Sequence, residues 1–218
     1  MRITIYPTID GYVSRNAEST WADAHETLTG DQASSTGTFT NVGIRASLAP
    51  PGRGGGYYVA RSFFSFDTTG VTHVPKSGRL YIYGRTNGNI NVVHTVKATS
   101  DIESAITTAD FDSIQDWDPR GDFTGAATYY GTNTGGWSTG GYNTIILRQN
   151  ALLDIAGQDR LNICLLAQRD IDNTGGSFPP PGSTDYNGLY FEDYTGTSRN
   201  PYLDITQQDD AVFFGANF

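Results

Sequence analysis

The clearest hydrophobic pattern in the chain runs from Tyr57 to Phe66. If this run is extended, one face carries Tyr58, Ala60, Ser62, Phe64 and Phe66, and the other carries Tyr57, Val59, Arg61, Phe63 and Ser65. Apolar side chains on both faces predict a central strand, covered on each side for part of its length. Further strands are predicted at Phe39 to Ala46, Arg79 to Tyr83, Ile90 to Lys97, Thr144 to Leu147, Leu161 to Ala167, Gly188 to Phe191 and Pro201 to Thr206. β-Branched and aromatic residues fill these runs, and Gly, Asn, Pro and Asp separate them. Leu80 and Ile82 share one face of their strand, with Tyr81 and Tyr83 on the other. Ile90, Val92, His94 and Val96 fall together on one face of theirs. Thr86-Asn87-Gly88-Asn89 predicts a tight hairpin, because Asn-Gly favours positive φ angles. Asn150 is placed to cap a short helix from Ala151 to Ala156, with Gly157 as terminator, and Ser104 to Ile114 holds a second short helical candidate. The expected fold is all-β, a jelly-roll-like sandwich of two antiparallel sheets with one or two short helices.

Composition agrees with that pattern. Of 218 residues, 37% are apolar, 12% aromatic and only 17% charged, with 26 Gly and 9 Pro. Such a mix argues against a coiled coil or helical bundle, and the aromatics argue against disorder. Lys plus Arg number 14 against 23 Asp plus Glu, a net charge of −9. No clustered Lys/Arg run is present to bind phosphates, so nucleic acid is not an expected partner. The single cysteine, Cys164, lies in an apolar run and reads as a small buried residue. The beginning of the chain lacks the apolar stretch of a signal peptide, and no window approaches a membrane-spanning helix. The expectation is a protein made in a cytoplasm and released without signal-peptide export.

Three segments depart from the strand pattern: Pro50 to Gly56, Thr128 to Gly141, and Gly175 to Asp185. Loops of such length are often functional. The chain is expected to form one domain over residues 1–206, followed by a tail over 207–218. In that tail residues 207–210 make a polar hinge, and the apolar run from Ala211 to Phe218 holds Phe213, Phe214 and Phe218. Each buried phenyl group contributes roughly 1.5–3 kcal/mol, so the three are expected to be covered: either folded back on the same domain or, as the polar hinge before them favours, anchoring the chain to a neighbouring subunit.

Among candidate chemistries, Asp110, Asp112, Asp116, Asp118 and Asp122 have a spacing reminiscent of a calcium loop. The glycine and terminal glutamate of an EF-hand are missing from their places, so solvated turn carboxylates are the favoured reading, with Asp110, Asp112, Asp116 and Asp118 as the calcium alternative. Glu192 and Asp193 are adjacent and would face opposite sides of an extended strand, which does not suit a glycosidase pair. His25, His73 and His94 form no close metal-ligand pair, and His94 reads as a hydrogen-bonded core or sheet-surface residue. Neither a nucleophile elbow nor a phosphate loop is present, so the chain is read as non-catalytic, with no cofactor. Trp21, Trp117 and Trp137 fall in predicted loops, and Tyr129, Tyr130 and Tyr142 flank Trp137. These rings are candidates either for stacking on sugars or for packing at a subunit interface.

Six segments, taken in order, resemble the DNRLRE-type domain, a β-sandwich related in shape to carbohydrate-binding modules. They are Asp10-Gly11-Tyr12-Val13, Asn41-Val42-Gly43-Ile44, Ala60 to Asp67, Gly78 to Tyr83, Asn187 to Phe191, and Thr197 to Ile205. The resemblance implies a non-catalytic binding or structural module, and the stretch from Tyr194 to Tyr202 with its short apolar tail looks most like the form in tailed-bacteriophage virions. The expected function is a virion structural protein, a capsid decoration or head-fibre protein released by lysis. Its expected partners are other virion proteins (capsid, portal or tail) and further copies of itself in a homo-oligomer, with no nucleic acid and no membrane. The alternative is a carbohydrate-binding adhesin that meets host glycans through an exposed platform around Trp137 or Trp21.

Overall fold

The computed structural model describes residues 1–49, 55–99, 102, 104–117, 128–173, 185–192 and 196–207. Within them twelve strands form one antiparallel system: β1 (Arg2–Ile5), β2 (Pro7–Glu18), β3 (Gln32–Ser34), β4 (Phe39–Ala49), β5 (Gly56–Asp67), β6 (Ser77–Gly88), β7 (Val93–Lys97), β8 (Tyr129–Asn133), β9 (Tyr142–Ile146), β10 (Arg160–Ala167), β11 (Tyr186–Tyr190) and β12 (Tyr202–Thr206). Among the described residues three short helices accompany them: α1 (Trp21–His25), α2 (Gln149–Gly157) and α3 (Gln168–Ile171). A 3-10 turn at Thr108–Asp112 lies inside the helical candidate of 104–114. The all-β sandwich expected from the pattern is present, with more helical turns than predicted. No helix among the described residues is long and apolar enough to cross a membrane.

The larger sheet runs β3-β2-β5-β10-β7-β8 and the smaller runs β1-β12-β6-β9. Two strands belong to both layers, as happens where strands turn a sandwich corner. Along one edge of β5, residues 56–60 pair with β4 and residues 62–67 pair with β10, while β2 follows the other edge. The layers therefore part at Arg61. β6 pairs with β12 and β9 through its first half and with β11 through its second, and β11 leads back to β4.

Alternation fills the space between the sheets. Phe64 and Phe66 of β5, Leu161, Ile163 and Leu165 of β10, Leu80 and Ile82 of β6, Ile145 of β9, and Leu203 and Ile205 of β12 form one core. α2 closes it, burying Ala151, Leu152 and Ile155 and leaving Leu153 exposed. The opposite face of β5 builds a second core on the outside of the larger sheet. Val59 and Phe63 join Val13, Val96, Cys164 and Leu166 under a cover of α1, α3 and the described residues between 98 and 117, which contribute Ile102, Ile106, Phe111 and Ile114. The two-sided apolar pattern of 57–66 thus has its cause in two covers.

Three local expectations need correction. Thr86–Asn89 is no hairpin: Asn87 pairs with Asn187 inside the sheet, and only Asn89 in this group takes a positive φ, of 73°. β6 ends paired with β11, while β7 pairs with β10 and β8, so the chain crosses over between them. That crossover splits the face predicted for 90–97, with Ile90 in the inner core and Val96 in the outer one. α2 begins at Gln149, so Asn150 sits within its first turn, where Oδ1 accepts from the Ala151 amide (2.9 Å) and Nδ2 donates to the Tyr129 carbonyl (2.8 Å).

Candidate functional site

The outer face of the smaller sheet is built by the same alternation that fills the core. With Leu80, Ile82, Ile145, Leu203 and Ile205 pointing inward, Tyr81, Tyr83, Tyr142, Ile146, Tyr202 and Asp204 point outward. Register places Tyr202 beside Tyr81 and Tyr83 beside Tyr142. The rings of Tyr81 and Tyr202 stack at 4.6 Å with 13° between planes. Tyr142 meets Tyr81, Tyr83 and Tyr202 edge to face, at 6.1, 5.1 and 5.2 Å. Tyr6 continues the ribbon at one end, 6.2 Å from Tyr202, and Tyr190 continues it at the other, 5.6 Å from Tyr83.

Arginines interleave with these rings. Arg199 lies 5.4 Å from the centre of Tyr83 and 4.8 Å from that of Tyr190. Arg85 lies 4.2 Å from Phe39, and both guanidinium groups donate to the Tyr190 hydroxyl. Further along, Arg45 covers Tyr58 at 3.9 Å. Arg2 forms a bidentate pair with Asp204, which holds that carboxyl below the usual range, chiefly through the hydrogen bond. Tyr83 donates to the Gly140 carbonyl, and Tyr142 reaches the carbonyls of Ser198 and Asn200. Burial first, and neighbouring tyrosines second, push the Tyr142 hydroxyl up to about 12, so it stays protonated. Ile146 (68% exposed), Tyr6 (44%) and Phe39 (40%) leave large apolar surface open on this face.

The predicted site residues distribute differently. Trp137 and Tyr130 are core residues, not a platform. Trp137 donates from Nε1 to the Gly188 carbonyl at 3.1 Å, because its loop folds back over β6 and β11. Tyr130 donates to Asp154, which also pairs with Lys97. Trp21 lies in α1 rather than in a loop; it stacks on His25 at 4.9 Å and donates to Asn173. Tyr129 is half-buried against His94. Of the predicted rings, Tyr142 alone joins the tyrosine ribbon. Its neighbours Tyr6, Tyr190 and Tyr202 are not among the residues the sequence pattern points to. The alternation that put Tyr81 and Tyr83 on the face opposite Leu80 and Ile82 was the available signal.

The carboxylates do not converge. Asp110 is buried in a capping box with Thr107, accepting from its amide and hydroxyl. Asp116 is exposed on a residue with positive φ. Among the described residues, no group of three or more His, Cys, Asp or Glu could hold a metal ion. Asp118, Asp122 and Asp193 lie outside the described residues, as do the tail phenylalanines Phe213, Phe214 and Phe218. A pocket of about 340 Å³ opens where β4 and β10 part, and the Arg169–Asp185 pair (3.1 Å) lines it.

Two histidines are buried. His25 packs between Trp21 and Trp117 in the outer core, its Nε2 donating to the Asp170 carbonyl at 2.8 Å. His94 lies between Gln168 and Thr132, the hydrogen-bonded setting expected for it. Burial lowers both from the ordinary value near 6.5; around His25 the Asp170 carboxylate opposes the shift and Arg61 adds to it. A depressed folded value means the unfolded chain takes up protons first as pH falls. Stability is therefore full above about 6.5 and declines below it. Urea unfolding at pH 7.5, 6.0 and 5.0 checks this. The midpoint is expected to fall steadily, and a midpoint unchanged down to pH 5 would contradict it.

No protein-family model matches the chain, and no curated protein matches it.

Proposed function

We propose that this chain is a structural component of a bacteriophage virion, a capsid decoration or head-fibre protein, and that the tyrosine–arginine face is where it grips other proteins. The arrangement of the rings carries this reading. Tyr81 and Tyr202 stand upright from adjacent strands with their faces against each other, and Tyr142 closes on both edge-on. A sugar ring needs an open aromatic face to stack upon, whereas this ribbon offers ring edges and the hydroxyl tips of Tyr6, Tyr81 and Tyr202. Such tips suit the carbonyls and side chains of a protein surface. Tyr, Phe and Arg are also the residues that enrich interface cores. The six segments that resemble the DNRLRE-type domain, with the ending from Tyr194 to Tyr202 that looks like the virion form, support the same reading.

A surface substitution tests it. Ile146→Glu places a carboxylate on the exposed face and is expected to shift folding stability by no more than about 0.5 kcal/mol. It is expected to reduce incorporation into phage particles at least tenfold, read by co-sedimentation of tagged chain with particles purified on a caesium gradient. Normal incorporation of both Ile146→Glu and Tyr81→Ser would overturn the assignment of this face. Saturable binding of wild type to a glycan array, lost in Tyr81→Ser, would move the protein to the adhesin class.

A further inference from the structure

The occupant of the face follows from where the charge lies, and this step rests on the protein-contact reading above. The strands that build the face, β1, β12, β6, β9, β11 and β4, contain Arg2, Arg79, Arg85 and Arg45 against one acidic residue, Asp204, and no lysine. Arg199 joins them from the turn before β12. Among the described residues of these elements, five arginines therefore share one face with a single acidic residue. The face is cationic on a molecule whose net charge is −9, so the remainder is strongly anionic.

That acidity has a focus on the opposite side of the sandwich. α1 lies over the outer face of the larger sheet, and Glu18, Asp23 and Glu26 line a shallow cleft of about 270 Å³ beside it. Arg15 is the one cation lining that cleft, and it is already engaged by Glu18 and Asp31, both at 2.7 Å. Hydrogen bonds from Thr20 and Ser19 hold Asp23 below its usual range, so it stays charged. Leu28 beside this rim is 61% exposed, an apolar counterpart to Ile146 and Phe39 on the other side.

We infer that a second copy of this chain occupies the tyrosine–arginine face, docking its α1 rim there. Exposed Arg79 and Arg85 meet Asp23 and Glu26, and the hydroxyls of Tyr6, Tyr81 and Tyr202 meet the carboxylates and carbonyls of the rim. The two surfaces lie on opposite sides of one molecule, so the contact is heterologous. The pair then keeps one free face on one copy and one free rim on the other, so the contact repeats into a stack. Between the two virion roles, this geometry favours a fibre over an isolated decoration.

Sedimentation velocity of the full chain tests this, from about 5 to 500 μM in 50 mM and 500 mM NaCl. The expected result is concentration-dependent growth at low salt, weakened at least tenfold at high salt. The face variant Arg79→Glu/Arg85→Glu and the rim variant Asp23→Lys/Glu26→Lys should each be monomeric alone. Mixed, the intact face of one variant meets the intact rim of the other, so a 1:1 dimer that grows no further is expected. The milder pair Asp23→Asn/Glu26→Gln serves if the rim variant unfolds, and should weaken growth in the same direction. A wild-type chain that stays monomeric at low salt overturns the inference, as does a rim variant that still associates. The functional reading is separable. A monomeric wild type that still enters particles through Ile146 leaves that reading standing while this one falls.

Discussion

Arg61→Met destabilises the protein by about 3–5 kcal/mol, and the double variant Arg61→Met/Asp170→Leu recovers a large part of the loss. Both side chains are fully buried, joined by hydrogen bonds of 2.9 and 2.8 Å from Arg61 Nε and Nη2 to the two Asp170 oxygens. Burial pulls the guanidinium down, but attraction to Asp170 and its hydrogen bonds outweigh this and leave it raised. Removing the arginine alone strands a carboxylate in the outer core, and breaking a buried pair from one side typically costs about that much. Removing both leaves no buried charge to compensate. The double variant does not return fully to wild type. Arg61 Nη1 also donates to the Phe111 carbonyl at 2.7 Å, and that acceptor loses a partner worth roughly 1–3 kcal/mol. The guanidinium is also lost from the rings of Phe111 and Trp117, at 4.2 and 4.8 Å. Urea midpoints of the three proteins decide the matter. A double variant no more stable than Arg61→Met would show that buried charge is not the cost.

This pair marks the boundary of what the sequence makes legible. The strand around Arg61 could be read at once, because ten residues alternate with apolar groups on both faces. That its arginine pairs with Asp170, 109 positions away, could not be read, since only the packing of α3 onto the outer core brings them together. β2 was missed for a related reason. Pro7, Asp10, Gly11 and Ser14 weaken its apolar pattern, and its regularity comes from following β5 over nearly its whole length. α1 is too short at five residues to show a period; Thr20 starts it by accepting from the Asp23 amide. The tyrosine ribbon was half legible. Tyr81 and Tyr83 stood out on one strand, but strand order is what sets Tyr202 and Tyr142 beside them, and local patterns carry little of that order.

Trp137→Ala is the second large effect, expected to cost about 3–5 kcal/mol, the usual loss for truncating a large buried aromatic. Gly, Thr and Ser surround this tryptophan in the sequence, which is why it read as an exposed loop residue. The loop folds inward because glycine makes room for it. A Cβ on Gly84 would lie 1.8 Å from the Ser138 carbonyl oxygen and 2.9 Å from Trp137 Nε1. Hydrogen bonds then secure the loop: Asn87 Nδ2 donates to the Trp137 carbonyl at 2.7 Å, and the Ser138 amide donates to Asn143 at 2.8 Å. Gly84→Ala should therefore mimic much of the loss without touching the tryptophan, because the added methyl pushes the 137–138 backbone off the sheet. Trp137→Phe should retain most of the stability, losing the bond to Gly188 at about 1 kcal/mol and some volume. Thermal and urea unfolding of the three variants rank them directly. Near wild-type stability for Trp137→Ala would mean the ring is solvated, and would restore it as a platform for a sugar. A large loss in Gly84→Ala alongside it would tie the burial to the missing side chain at position 84, two residues along β6 from Ile82 on the face that lines the core.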